Sequence, residues 1–417
     1  MAKRRSRTER AAREAAKKHP KVFLTILILL VIVIAVCACL YFFVFKEEVD
    51  NFLHGLKDPS DSAHSGGADL VDGDLKEISS ADLSIHFIAP AVKASGDCTL
   101  IKVGDTEVLI DAGPTQGNVT EIKDYLSDYC TDGVIEYVIA THADTDHIAG
   151  LVGNSVQGAY NGILYSYKIG TIIQFDRTNN EKETPSGNPT LYARYCTAVE
   201  YAVSQGAAVY TGLQCWNQTD GAKRTYFLDS AQTISMNILY NYFYENDDGD
   251  ENNYSVCMLL SQKLKEETNH YLFTGDLEEE GEERLVQNNQ LPHVVLYKAG
   301  HHGSKTSSTN SLLRAITPEY ISVCCCAGYN EYGASEENIF PTQAFIDRAG
   351  RYTNKIYVTI MWDEETNGYK DMNGDIVFYY GKSETEEEKM LKLWCSNNTT
   401  ILKDTEWFKK NRTWNGV

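Results

Sequence analysis

Positive charge is scarce in most of this chain. Of its 38 Lys and Arg, nine fall within residues 1–21, where two Glu leave a net of +7. The whole chain is −20, so residues 22–417 carry −27. No long basic run follows Lys46. A region so acidic repels bulk nucleic acid unless a local basic groove or bound cations offset it, which argues against a simple DNA-binding module. The sequence also lacks a CxxC pair and any internal repeat of fixed period. Nine cysteines lie beyond residue 45. Their odd number and irregular spacing give no disulfide framework. Three of them, Cys324, Cys325 and Cys326, sit in the apolar run 320–327, which reads as a buried strand.

What is present begins with one long apolar stretch. From Val22 to Phe45 only Thr25 is polar. At about 1.5 Å per residue a helix over this stretch reaches about 36 Å, enough to cross a hydrocarbon core of ~30 Å. Basic residues precede it, and Glu47, Glu48 and Asp50 follow. The expected topology is a single-pass signal-anchor in the cell membrane, with residues 1–21 cytoplasmic and the rest extracytoplasmic. A cleaved signal peptide is the alternative, but its apolar core usually has only about 7–15 residues. Residues 46–83 are polar, with Pro59, Gly66, Gly67 and several Ser, and read as a linker. Residues 84–380 are expected to form one layered domain, and 381–417 a polar C-terminal extension.

Within the domain, β-rich runs alternate with helical ones. Strands are expected at 84–89, 99–103, 107–111, 134–140, 233–240, 255–260, 270–274, 294–298 and 320–326. Helices are expected at 119–129, 191–204, 277–288 and 311–316. Segments 342–349, 355–360 and 375–380 complete the pattern. Mixed strands with interspersed helices predict an α/β fold whose paired sheets are covered by helices.

The segment Thr141-His142-Ala143-Asp144-Thr145-Asp146-His147 concentrates four metal-capable side chains in six residues, just after the strand 134–140. Two imidazoles and two carboxylates suit divalent cations, Zn or Mn before Mg. A loop at a strand end is the expected setting. Other pieces follow strands too: Asp111 after 107–111, Thr274-Gly275-Asp276, and Lys298-Ala299-Gly300-His301-His302-Gly303-Ser304. Asp111 fits an outer acceptor that orients the ligand loop.

Together these motifs resemble the metallo-β-lactamase fold superfamily, and within it the hydrolase domain of the competence protein ComEC, where Asp stands in the position of Asp144. Gly96-Asp97, Asn252-Asn253-Tyr254-Ser255 and Lys305-Thr306-Ser307-Ser308 add to the likeness, which runs from about 85 to about 380. The resemblance implies an αββα sandwich with a binuclear metal site at one edge, and a hydrolase with phosphodiesters among its substrate classes. It assigns His142 and Asp144 to one cation, Asp146 and His147 to the other, and Asp276 between them. It also implies a metal-bridging hydroxide as nucleophile. His301 is placed among the ligands. Asp146, His302 and Lys298 are placed among the catalytic groups, the last two steadying or protonating the leaving oxygen. Which of His301 and His302 is the ligand stays open. Asn253 is an outer residue able to complete a thin metal shell.

The sequence departs from that pattern in two ways. Ala334 stands where the competence-type domain has His, and one apolar run replaces many membrane helices. The expected activity is an extracytoplasmic metal-dependent phosphodiesterase or nuclease, with long nucleic acid disfavoured by charge. The alternatives are a hydrolase of cell-envelope phosphoesters and a non-catalytic binding protein that keeps the fold.

Overall fold

The computed structural model describes residues 77–90, 92–156, 159–331, 333, 335–381 and 391–417. The expected membrane segment 22–45, most of the linker and Ala334 lie outside the described residues. Among the described residues no helix is long and apolar enough to cross a membrane.

Two eight-stranded sheets form the centre. The first contains β1 (Leu83–Phe87), β2 (Thr99–Val103), β3 (Thr106–Ile110) and β4 (Val134–Ala140). After a short hairpin of β5 (Ser155–Val156) and β6 (Ala159–Tyr160), it adds β7 (Lys168–Gln174) and β8 (Ala208–Thr211). The second sheet runs from β9 (Thr225–Phe227) and β10 (Ile234–Ile238) through β11 (Met258–Lys263), β12 (Thr268–Phe273) and β13 (Leu296–Lys298). It continues with β14 (Tyr320–Ala327), β15 (Ile356–Asp363) and β16 (Gly368–Asp371). The chain then returns to the first sheet with β17 (Ile376–Tyr380) and β18 (Leu391–Cys395), in the order β18-β17-β1-β2-β3-β4-β7-β8.

Aromatic side chains bridge the sheets. Phe87 meets Phe273 with ring centroids 6.4 Å apart, Tyr320 meets Phe378 at 5.3 Å, and Tyr137 meets Tyr226 at 5.4 Å. Outside the first sheet, helices Val119–Ser127 and Leu191–Ser204 bury Ile122, Leu126, Tyr195 and Ala198. Outside the second, helices Glu279–Asn288, Asn310–Ile316 and Gln343–Ala349 bury Leu285, Leu312, Leu313 and Phe345. The layers are therefore α, β, β, α. Strand β1 is buried at all five positions, as expected when both faces of a sheet are covered.

The segment 381–417 is more than an extension. Strand β18 pairs antiparallel with β17 from Ile376↔Cys395 to Tyr380↔Leu391. Leu402, Trp407 and Phe408 are buried in the core of the second sheet's helical side. Its polar average conceals a few apolar anchors whose burial is worth about 1.5–3 kcal/mol each. All nine cysteines of the domain are free, and eight are buried.

Topology fixes where function can sit. Strands β3, β4, β7 and β8 run parallel, as do β12, β13, β14 and β15. Parallel strands end on one side, and the loops beyond their carboxyl ends form the usual ligand crevice of such sheets.

Candidate metal centre

The motif 141–147 lies beyond β4, and only its first half is loop. A helix begins at Thr145 and runs to Val152, with Asp144 as its N-cap residue and Asp146 in its first turn. Apolar residues after His147 bury this helix, and Gly153, at φ 65°, ends it. The expected loop is thus split: His142 and Asp144 ride on backbone leaving a strand, and Asp146 and His147 on the first helical turn. Gly113 permits the close approach of this turn to the β3 end, since a Cβ there would overlap the Asp146 carbonyl.

Asp111 sits directly after β3 with φ 57°, a left-handed backbone that costs a non-glycine residue about 1–2 kcal/mol. The compensation is visible. Its carboxylate accepts from the Thr141 N–H at 2.8 Å and the Thr141 hydroxyl at 2.7 Å, and lies 2.8 Å from His147 Nδ1. This fixes the ring so that Nε2 points at Asp276 Oδ2, 3.1 Å away.

The second sheet supplies the facing side. Gly275, at φ 55°, leaves no room for a Cβ against Ser255 and Thr141 and turns the chain after β12. Asp276 N–H then donates to Ser255 Oγ at 3.1 Å. After β13 come His301 and His302, both left-handed, at φ 41° and 53°. His302 Nδ1 lies 2.8 Å from the Cys324 carbonyl, and its Nε2 lies 3.0 Å from Asp276 Oδ2 and 3.1 Å from Asp146 Oδ2. Asp146, His147, Asp276 and His302 each offer one donor atom, all within 4.8 Å of one another.

Electrostatics follow from this packing. Burial opposes ionisation of Asp276, but His302, His147 and Lys298 outweigh it and hold the carboxyl well below its usual range. Burial likewise opposes charge on His147, yet Asp276 and Asp111 hold its pKa well above the usual value. His302 is raised in the same way: burial opposes its charge, and Asp276 and Asp146 outweigh it. Two features of these donors suit divalent cations. Imidazole and carboxylate in equal number make a borderline donor set. The buried Nε2 of His142 has no hydrogen-bond partner, and that of His147, although 3.1 Å from Asp276 Oδ2, makes no well-aligned hydrogen bond to it; a buried nitrogen left in this way calls for an ion or water.

The structure spreads the expected residues over three settings. Asp146, His147, Asp276 and His302 converge. His142 lies beside them, its ring 4.1 Å from that of His147 and its Nε2 3.6 Å from Asp144 Oδ2, while Asp144 is 39 % exposed at the rim. Asp111 lies beneath His147. The two adjacent histidines, between which the ligand place stays open in the sequence, fall in different settings. His302 joins the donor cluster, whereas His301 turns outward and its Nδ1 pairs with Glu278 Oε1 at 2.7 Å. Lys298 does not reach a leaving group: its side chain is 3 % exposed and its ammonium is enclosed by Asp97, Asp276 Oδ1 and the Gly275 carbonyl. Asn253 stands away from the donors; its Oδ1 accepts from Glu278 N–H at 3.1 Å, which places it behind the His301–Glu278 pair. Two residues outside the expected set are central. Asp97 is buried between Lys298 and His302, 3.4 Å from His302 Nδ1, and its backbone N–H donates to the Asp146 carbonyl at 3.1 Å. Glu278 holds His301. The Gly96-Asp97 pair marks the first in the sequence; nothing marks the second.

Comparison with known proteins gives one family match, one curated relative and a set of distant structural neighbours. A family model described as the metallo-beta-lactamase superfamily matches residues 92–155. The competence protein ComA of Neisseria gonorrhoeae is 32% identical over 123 residues, which is 28% of this chain and 15% of that protein. Among solved structures, the metallo-beta-lactamase fold protein YhfI of Bacillus subtilis aligns over 66% of this chain and 95% of its own, with 9% identity and a TM-score of 0.37. Unliganded yeast PDE1 aligns over 67% and 88%, with 10% identity and a TM-score of 0.34. The subclass B3 enzyme BJP-1 of Bradyrhizobium japonicum aligns over 53% and 79%, with 12% identity and a TM-score of 0.30. The stretch that supplies Asp97, Asp111 and the 142–147 motif is of the metallo-beta-lactamase superfamily type, and the chain resembles that superfamily in its motifs and its layered two-sheet architecture.

Proposed function

We propose that the protein is a metal-dependent hydrolase of phosphodiester bonds that works outside the cytoplasm, held at the membrane by residues 22–45. One observation carries the reading. Asp146, His147, Asp276 and His302 come from strand ends of two different sheets, yet their donor atoms lie within 4.8 Å of one another. These four would hold one divalent cation. His142, with Asp144 at the rim, would share Asp276 in holding a second. Bound cations of this kind supply Lewis acidity and water activation near neutral pH. The chain's own residues do the rest. Asp111 fixes the His147 ring. The Cys324 carbonyl fixes His302. His301, 19 % exposed and hydrogen-bonded through Nδ1 to Glu278, would be the group that gives a leaving oxygen its proton. The test is the double variant Asp146→Ala/His147→Ala. It should lose its bound metal, measured by elemental analysis, together with turnover of an aryl phosphodiester. Unchanged turnover rejects the proposal.

A second reading has its own support. Carboxylates crowd the mouth: Asp144, Glu278, Asp250, which lies near Glu278 and His301, and Glu251, whose Oε1 accepts from Ala143 N–H at 3.2 Å. Such a rim favours a short phosphoester of the cell envelope over a long polyanion. Turnover of small phosphodiesters against single-stranded DNA separates the two. Metal bound without turnover of either would leave the non-catalytic binding protein.

A further inference from the structure

The donor cluster is accompanied by a second group of metal-capable side chains. Asp97, Asp111 and His147 also bring one donor atom each to within 4.8 Å of one another. All three are buried. Asp111 is fully engaged by Thr141 and by His147 Nδ1. Asp97 is engaged by Lys298.

An ammonium group has three donors and no acceptor. Every partner of Lys298 is accounted for: Asp97 Oδ2, Asp276 Oδ1 at 3.2 Å and the Gly275 carbonyl at 3.1 Å. Burying a positive charge this completely is expensive unless it is paired, and here it is paired twice. The bond to Asp276 has a geometric result. It occupies Oδ1 and leaves Oδ2 between His147 Nε2 and His302 Nε2, at 3.1 and 3.0 Å.

We infer that Lys298 is a resident cation: its ammonium occupies the place between Asp97 and Asp276 that a divalent ion would otherwise take, and so limits the number of ions the site binds. The inference rests on the metal-dependent reading and concerns how that site is stocked. Lys298 is a positioning residue. It holds Asp276 with one oxygen turned to the cluster, and it balances Asp97, whose loop is tied to the helix turn of the motif through Asp97 N–H and the Asp146 carbonyl.

The experiment counts ions on the full chain. Wild type, Lys298→Met and Asp97→Asn/Lys298→Met are saturated with Mn2+, desalted and analysed for metal per chain. Lys298→Met should retain one more ion than wild type, because two carboxylates lose their ammonium and no bulky group replaces it. The double variant removes both members of the pair, avoids the uncompensated charge that endangers folding, and should return to the wild-type count. Melting temperature gives a second readout: Mn2+ should raise that of Lys298→Met by more than that of wild type. Equal counts and equal shifts in Lys298→Met and wild type overturn the inference, as does an extra ion in the double variant. Wild type that binds no divalent ion would instead remove the metal-dependent reading itself.

Discussion

The floor and the rim of the site are built on different terms. On the floor, His147, Asp276, His302, Asp111, Asp97 and Lys298 are buried, and each ring or carboxylate has a fixed neighbour. At the rim, Asp144, Asp146, His301 and Glu278 keep between 16 and 39 % of their side-chain surface. His301 and His302 sit next to each other in sequence yet fall on opposite sides of this divide. Adjacent histidines on one strained turn must point apart, so one serves the cluster and its neighbour faces solvent. The floor is suited to choosing and holding cations; at the rim Asp144 and Asp146 would complete that donor set, while His301 and Glu278 are suited to meeting substrate and handling protons.

The sharpest way to break this division is His302→Ala. It should lower turnover of every phosphoester by about 10³-fold and reduce the metal retained per chain. A full metal complement in that variant would return His302 to the rim. His301→Ala should behave differently, keeping its metal. It should lose about 10²-fold on alkyl phosphodiesters, at the low end for general acid catalysis, and little on nitrophenyl esters, whose leaving group needs no proton. An equal loss on both substrates would place His301 with the floor. Asp111→Asn tests whether support from below matters: metal affinity should fall by about 10–100-fold, read by competition with a chelator.

The smallest effect is expected on stability, at Glu282. This buried carboxylate accepts from Ser308 and Thr309 N–H, both at 2.6 Å, and so ties down the turn that follows His302. Burial pushes its pKa from the usual 4.5 to about 7, against the pull of those N–H groups. The folded state therefore binds the proton more tightly than the unfolded one. That contribution is complete below about pH 4.5 and is lost as pH rises through 7. Glu282→Gln should flatten the melting temperature across this window. A slope identical to wild type would show that Glu282 does not titrate there.

Much of this architecture can be read from residue patterns. Strand β2 and the helix Leu191–Ser204 lie where the residue pattern puts them: β2 is a short, mostly apolar run that ends at a glycine turn, and in the helix Tyr195, Ala198, Val199 and Ala202 recur at helical spacing. The helix at Thr145–Val152 is harder to see: its first turn is filled with metal-capable residues, and those suggest a loop. Strand β18 hides in a charged stretch because its exposed face carries residues such as Lys392, which pairs with Glu77. In the site, His142, Asp144, Asp146 and His147 announce themselves by spacing. Glu278 does not, being one acid among several that open an acidic helix. Lys298 is misleading in a more instructive way. Its place at a strand end suggests access to substrate, but the pleat turns it into the protein, where only the folded chain shows what encloses it.

The free cysteines have a practical consequence. Burial suppresses the acidity of most of their thiols; Cys215 is pushed up to about 11, and Cys130, Cys326 and Cys395 to about 12. Of the nine, only Cys196 is partly exposed. An alkylating reagent added to native protein therefore finds one ready target in the domain, and each later modification records a moment when the layers came apart. The rate of thiol capture is a clock for opening that needs no added label.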